Sequence, residues 1–216
     1  RVYTRRRIGR MNIDAKLVKT LRDKTGAGMM DCKKALVESE GDLDKAVDHL
    51  RKSGIAKAEK KGSRDTREGL VYSYIHAGGR LGVLVELNCE TDFVAKTDGF
   101  TELAHNLAMQ IAATNPVALD RDSIDDVVIS REKEIFGDQA KAEGKPDTII
   151  EKMVQGRLKK FFQESCLMEQ TYIKDPDKKV NDLLTETIAN LGENISINRY
   201  IRFAVGESSA SSNGHI

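Results

Sequence analysis

The stretch LVYSYIHAGGRLGVLVELNCETDFVA, residues 70–95, decides the architecture. Two β-type runs, 70–77 and 81–88, flank Gly78-Gly79, and a Gly-Gly pair between such runs marks a hairpin. Val83, Val85 and Leu87 alternate onto one face, and Leu84 makes this strand partly buried on both. Far downstream, Ile197, Ile201, Phe203 and Val205 keep a period of two through Arg199 and predict a third strand. A hairpin completed by a late strand is a small antiparallel sheet. The residues between read as helices. Phe100, Leu103, Ala104, Leu107, Ala108, Ile111 and Ala112 trace one stripe, ended by Asn115-Pro116, and His105 off that stripe reads as a surface residue. Residues 123–143 are amphipathic and highly charged until Gly144-Lys145-Pro146 breaks them. Ile149, Ile150, Met153, Val154, Leu158, Phe161 and Phe162 form another stripe, capped by Asp147 or Thr148, and Val180, Leu183, Leu184 and Ile188 mark a last helix. Helices lying on one small sheet make this part, residues 63–207, α+β.

Upstream, residues 11–62 form a separate helical module. Ile13, Leu17 and Leu21 recur every four residues, with Asn12 as N-cap and Gly26 as stop. Met29 and Met30 open a second helix that carries Ala35 and Leu36 and stops near Gly41. Asp42 caps a third, with Leu43, Ala46, Val47 and Leu50 on one face, which Gly54 ends. Three short helices in this space resemble ubiquitin-associated domains, which are small binding modules. Adjacent helical positions point about 100° apart. Met29 and Met30 therefore either both pack inside or leave one thioether facing outward, where its flexibility suits a partner surface. Lys33 and Lys34 read by default as solvated charges. Residues 56–67 read as a helix tail running into an exposed, Lys-rich linker.

Composition narrows the function. The chain has 216 residues, of which 39% are hydrophobic and 32% charged, which is a globular composition. No apolar run approaches the roughly 18 residues needed to cross a bilayer, so no membrane role is expected. Trp is absent and aromatics are 5%, which argues against a base-stacking platform. The net charge of +1 argues against a dedicated nucleic-acid binder, although residues 1–10 carry five Arg and no acid. Met11 reads as a natural start, with the Arg-rich residues 1–10 as a basic extension or the stub of an organelle transit peptide. Residues 208–216, rich in Ser, Asn and Gly, read as a disordered tail. Cys32, Cys89 and Cys166 are an odd number without metal-like spacing, which fits a reducing compartment. Nor do His49, His76, His105 and His215 cluster, so no metal or cofactor is expected. Neither a Walker-type phosphate loop nor a Gly-x-Ser-x-Gly elbow occurs. Cys89 and His76 lie across one hairpin, but no third residue orients them, so a thiol enzyme has little support.

The run Asn88-Cys89-Glu90-Thr91-Asp92-Phe93-Val94-Ala95 follows a buried strand. One reading has Thr91 or Asp92 capping a short turn while Phe93 and Val94 fill the core. The other is an exposed Asp-Phe wedge on a rigid tip, suited to insertion between a partner's helices.

A family resemblance separates the two readings. The run Thr25-Gly26-Ala27-Gly28-Met29-Met30-Asp31-Cys32-Lys33-Lys34-Ala35-Leu36, and the run 88–95 just quoted, resemble the signatures of bacterial and organellar translation elongation factor Ts. Gly144-Lys145-Pro146, Ile150-Glu151-Lys152-Met153-Val154, Gly156-Arg157, Ile201-Arg202-Phe203 and Val205-Gly206-Glu207 follow the family in order, so the resemblance spans residues 11–207. Longer members carry two sheet subdomains and a coiled-coil insertion. Here one hairpin must serve, and no coiled-coil heptads are evident. The resemblance implies guanine nucleotide exchange on elongation factor Tu, in its GDP-bound and nucleotide-free forms, without covalent chemistry. It implies that Thr91, Asp92, Phe93 and Val94 form a wedge that disturbs the partner's magnesium site. It further implies docking of the helical module through Leu21, Met29, Met30 and Lys33, and a second contact region around His76 and Arg80. Short members can self-associate, so a homodimer is expected. A bacterial cytoplasm is the expected location, with an organelle matrix or stroma as the alternative. The competing reading is a ubiquitin-associated-like peptide-binding adaptor resting on residues 11–62 alone.

Overall fold

The computed structural model describes residues 13–207. The N-cap read at Asn12, the basic segment 1–10 and the tail 208–216 lie outside them. Among the described residues three helices come first: α1 (Ala15–Thr25), α2 (Met29–Glu38) and α3 (Leu43–Glu59). Asp14, not Asn12, caps α1 by accepting from the Lys16 amide at 3.0 Å, and Gly26 in the left-handed region ends it. Asp42 caps α3 by accepting from the Asp44 and Lys45 amides. Val18, Leu21, Cys32, Ala35, Leu36 and Ala46 close a small core between the three helices.

Gly54 does not end α3. The helix runs on through it, spans 17 residues, and places Ala46 in the small core and Ala58 in the main one. At about 1.5 Å per residue it is a strut of about 25 Å joining the two. The segment expected to be an exposed linker is likewise tied down: Thr66 Oγ1 lies 2.7 Å from Ser196 Oγ, and the Arg64 carbonyl accepts from Asn194 Nδ2 at 2.8 Å.

The main core lies under a three-stranded antiparallel sheet of order β1 (Glu68–Ile75), β2 (Leu81–Cys89), β5 (Ile195–Ala204). The hairpin closes as the Gly-Gly pair predicts, with the His76 amide donating to the Leu81 carbonyl at 2.8 Å. Val83, Val85 and Leu87 point inward onto α5 (Asp98–Thr114), the most completely buried helix. Leu84 departs from expectation, since it faces outward and is exposed. The third strand departs as well. A bulge leaves Asn198 without a partner between Glu86↔Arg199 and Leu87↔Ile197. Ile195 and Ile197 face the core before it, and Tyr200 does so after it. Ile201 and Phe203 are thereby turned to the outer face, so the period of two does not hold one face through Arg199.

His105 is not a free surface side chain. Its Nδ1 lies 3.0 Å from Tyr72 Oη, and its ring meets Tyr72 and Tyr74 edge-on. The charged segment forms α6 (Asp126–Ala142), which pairs with α7 (Asp147–Ser165) as a helical hairpin turned at residues 143–146. Arg157 bridges back to Gln139 and Glu143. The N-cap of α7 is Pro146, so neither Asp147 nor Thr148 caps it. A small ribbon, β3 (Thr171–Tyr172) with β4 (Asp175–Lys179), precedes α8 (Val180–Leu191) and has no periodic signal in the sequence.

Candidate partner-binding surface

The chain leaves β2 at Cys89 and makes a single helical turn, α4 (Asp92–Ala95), before α5 begins. Thr97 caps α5 by accepting from the Phe100 amide, and its hydroxyl donates to the Val94 carbonyl at 2.7 Å. The turn is therefore held from both sides. Val94 and Ala95 pack against the main core, while Phe93 is 79% exposed. Neighbouring positions on a turn point about 100° apart, which lets one residue anchor the turn while the next projects from it. An exposed Phe on an anchored turn leaves a large apolar surface in water.

Thr91 occupies the N-cap position, yet its side chain does not cap. Its amide and hydroxyl instead donate to the Glu193 carboxylate at 3.0 and 2.7 Å. Asp92 pairs with Lys96 one turn on at 2.6 Å, and that ammonium holds the Asp92 carboxyl below the usual range. Cys89 is buried, and its thiol donates to the Thr91 carbonyl at 3.1 Å; burial pushes its pKa up. This is opposite to what a nucleophilic thiol needs. His76 sits at the far end of β2, whose eight residue steps cover about 27 Å, so the two make no dyad. Among the described residues, no three His, Cys, Asp or Glu side chains are grouped to hold a metal ion.

On the helical module, Met29 and Met30 both point outward at the start of α2, 46% and 77% exposed. Lys33 and Lys34 are exposed beside them. Leu21 is fully buried, with its carbonyl accepting from Thr25 Oγ1 at 2.8 Å. It therefore supports the α1–α2 turn and cannot itself touch a partner. Across the hairpin tip His76 and Arg80 are exposed, with His76 Nδ1 2.8 Å from Tyr74 Oη.

The expected residues thus fall into three places. Thr91 to Val94 share one turn, Met29, Met30 and Lys33 lie on another module, and His76 and Arg80 stand at the opposite end of the sheet from that turn. What joins the first two is the end of α8, which sequence reading did not single out. Asn190 Nδ2 reaches the Thr25 carbonyl at 3.5 Å, and three residues later Glu193 holds Thr91. These partners lie more than 100 residues apart, so no local spacing signals them. Lys96, four residues after Asp92, and Thr97, three after Val94, are missed partners with a local signal.

The residues from 16 to 207 match the family model described as Elongation factor TS. The chain is 61% identical over 195 residues to the elongation factor Ts of Syntrophomonas wolfei, covering 90% of this chain and 91% of that one. It is 56% identical to that of Moorella thermoacetica, over 88% of this chain and 94% of the relative. Identity to that of Desulfosudis oleivorans is 55%, over 90% and 98%. The class is therefore that of the translation elongation factors, proteins of protein biosynthesis. Within it, the chain belongs to the elongation factor Ts family.

Proposed function

We propose that the protein is a guanine nucleotide exchange factor that acts on elongation factor Tu and promotes release of GDP. The observation that carries this reading is Phe93, exposed on a turn whose next residue is locked into the core. In this reading Phe93 and Asp92 enter a cleft between two helices of the partner's GTPase domain and disturb its magnesium site. Asp92 must first exchange its Lys96 partner for groups of the GTPase. Met29, Met30 and Lys33 dock elsewhere on that domain, and His76 with Arg80 reach towards the partner's other domains. The site of action is the bacterial cytoplasm or an organelle matrix.

Energetics require more than the wedge. Coupling between the factor and GDP is reciprocal, and a weakening on the order of 10⁴-fold needs about 5.5 kcal/mol. Burying one Phe contributes about 1.5–3 kcal/mol. The exposed methionines are the natural second source. The peptide-adaptor reading is weaker, because α3 is shared between both cores and gives the helical module no separate boundary.

The outer face of the sheet supports self-association. Val71, Ile75, Leu84, Phe203 and Val205 are exposed there, with Ser73, Leu84 and Ile201 in one cross-strand row and Ile75, Gly82 and Phe203 in the next. We assign this face to a second copy of the chain.

Release of fluorescent GDP from elongation factor Tu at fixed magnesium tests the exchange reading. Acceleration by the protein that falls at least tenfold in Phe93→Ala, with the unfolding temperature held within a few degrees, is the expected result. Unchanged exchange per folded molecule would refute the wedge.

A further inference from the structure

Where β2 and β5 stop pairing, at Cys89↔Ile195, two glutamates continue the ladder with side chains. Glu90 accepts from the Asn194 amide at 2.6 Å, and Glu193 accepts from the Thr91 amide at 3.0 Å. Each of the two segments thus lends a carboxylate to the other's main-chain N–H. Glu193 takes the Thr91 hydroxyl as well, at 2.7 Å. Asn194 donates to the Arg64 carbonyl at 2.8 Å, and Arg64 in turn reaches Glu90 at 3.3 Å, closing the ring. The Asn194 amide holds the Glu90 carboxyl below its ordinary range. The far side of the ring is the end of α8. Gly192 stops that helix in the left-handed region, and Asn190 two residues earlier meets the Thr25-Gly26 turn that leads into Met29.

We propose that Glu193 is a positioning residue for exchange. It holds Thr91, and through Thr91 the orientation from which Phe93 projects, against the same helix end that carries Asn190 and the α1–α2 turn. The inference rests on the exchange reading above and adds a residue to it. Its physical basis is preorganisation. The wedge is a single turn, far too short to be stable by itself. Its C-terminal side is fixed by Thr97 and by the burial of Val94 and Ala95. Its N-terminal side has no side-chain cap, because the Thr91 hydroxyl is directed to Glu193 instead. Charge-assisted bonds to the Thr91 amide and hydroxyl supply what the missing cap does not. A loop ordered before the encounter loses less freedom when it inserts. The contact is near the surface, so its removal loosens the loop without opening the core.

The test uses the full chain with Glu193→Ala, Glu193→Gln, Thr91→Val and the double variant Thr91→Val/Glu193→Ala. Amide hydrogen exchange at Thr91, bonded to Glu193, and at Ala95, bonded to the Thr91 carbonyl, reads the clasp directly, without any partner. GDP release from elongation factor Tu, followed against factor concentration, separates the maximal rate from the half-saturating concentration. In Glu193→Ala the amides of Thr91 and Ala95 exchange faster. The maximal rate falls about three- to tenfold, the worth of one or two such bonds at a partly exposed site. The half-saturating concentration moves less than about twofold, because first docking is assigned to the helical module. Glu193→Gln, which keeps one acceptor oxygen, lies between Glu193→Ala and wild type. The double variant loses less than the product of the single effects, since both remove one interaction. Unchanged amide exchange in Glu193→Ala overturns the clasp. Faster amides with an unchanged maximal rate overturn its part in exchange. A rate loss that only tracks a lower unfolding temperature also overturns it, by making Glu193 merely structural. Failure of the wild-type protein to release GDP overturns the exchange reading itself, and amide protection in that same protein still reads whether Glu193 holds the loop.

Discussion

Phe93 and Leu21 show how far composition misleads about single side chains. Both are large and apolar and both are residues the family resemblance offers as partner contacts, yet Phe93 is largely exposed and Leu21 has no exposed surface. The difference comes from what stands on the next turn. Leu21 has Leu36 and Ala46 to pack against, whereas Phe93 follows a strand end and leaves the inward positions of its turn to Val94 and Ala95. Gly69 is the residue where the backbone is least forgiving. It sits at φ 152° in β1, and a Cβ there would lie 2.2 Å from the Leu87 carbonyl oxygen and 2.8 Å from Asn88 Cα. Neither neighbour is a side chain that can swing aside. Gly69→Ala is expected to cost about 1–3 kcal/mol from backbone strain alone, with the enforced strand separation added to it. Chemical denaturation of the variant checks this, and a midpoint equal to wild type would show that β1 relaxes at no cost.

The sheet is amphipathic in an unusual sense, because both faces hold apolar rows. The inner row belongs to the core. The outer row exists because the bulge at Asn198 rotates Ile201 and Phe203 outward, where they join Leu84 and Ile75. Glu86 anchors that bulge by accepting from Asn198 Nδ2 at 2.9 Å and from Arg199 Nε at 2.7 Å. If the outer face binds a second copy, Phe203→Glu should convert a dimer to a monomer in sedimentation velocity, with the monomer still folded by circular dichroism. Burial of a carboxylate without a partner at the centre of such a face costs several kcal/mol, enough to dissociate a micromolar dimer. Wild-type protein that stays monomeric at high concentration would remove the self-association reading.

At the scale of the whole molecule, several carboxylates are held below their ordinary range by cationic or N–H partners. Arg199 does this to Glu86, the Asn194 amide to Glu90, and Arg121 to Glu169. A depressed carboxylate pKa contributes stability that is present above the unfolded value, near 4.5, and lost as pH falls through the folded value. At the other end, burial pushes Tyr200 up from 10.0 and Cys166 up from 9.0 to about 11. Those groups stay neutral in the fold, so their contribution disappears as pH rises past the unfolded values. The unfolding temperature is therefore expected to be level between pH about 5 and 8 and to fall outside that window. A steady rise of stability below pH 4.5 would contradict the acid limb.

Much of the molecule was legible in the chain. The hairpin follows from Gly78-Gly79 between alternating apolar runs, because a turn needs residues free to adopt positive φ and a strand needs period two. The stripe from Phe100 to Ala112 shows α5 for the corresponding reason at period 3.6, and Asp42 shows where α3 begins. These are local properties of consecutive residues. Tertiary structure alone decided the rest. Whether Phe93 filled a core or left it depended on which elements closed around the end of β2. The face taken by Phe203 depended on one unpaired residue in β5, and the continuity of α3 through Gly54 on how closely Ala189 approaches, 3.4 Å from where a Cβ would stand. The pairing of Thr91 with Glu193 spans 102 residues. No local rule reaches that far, because a hydrogen bond between distant segments becomes favourable only after the fold has brought them together.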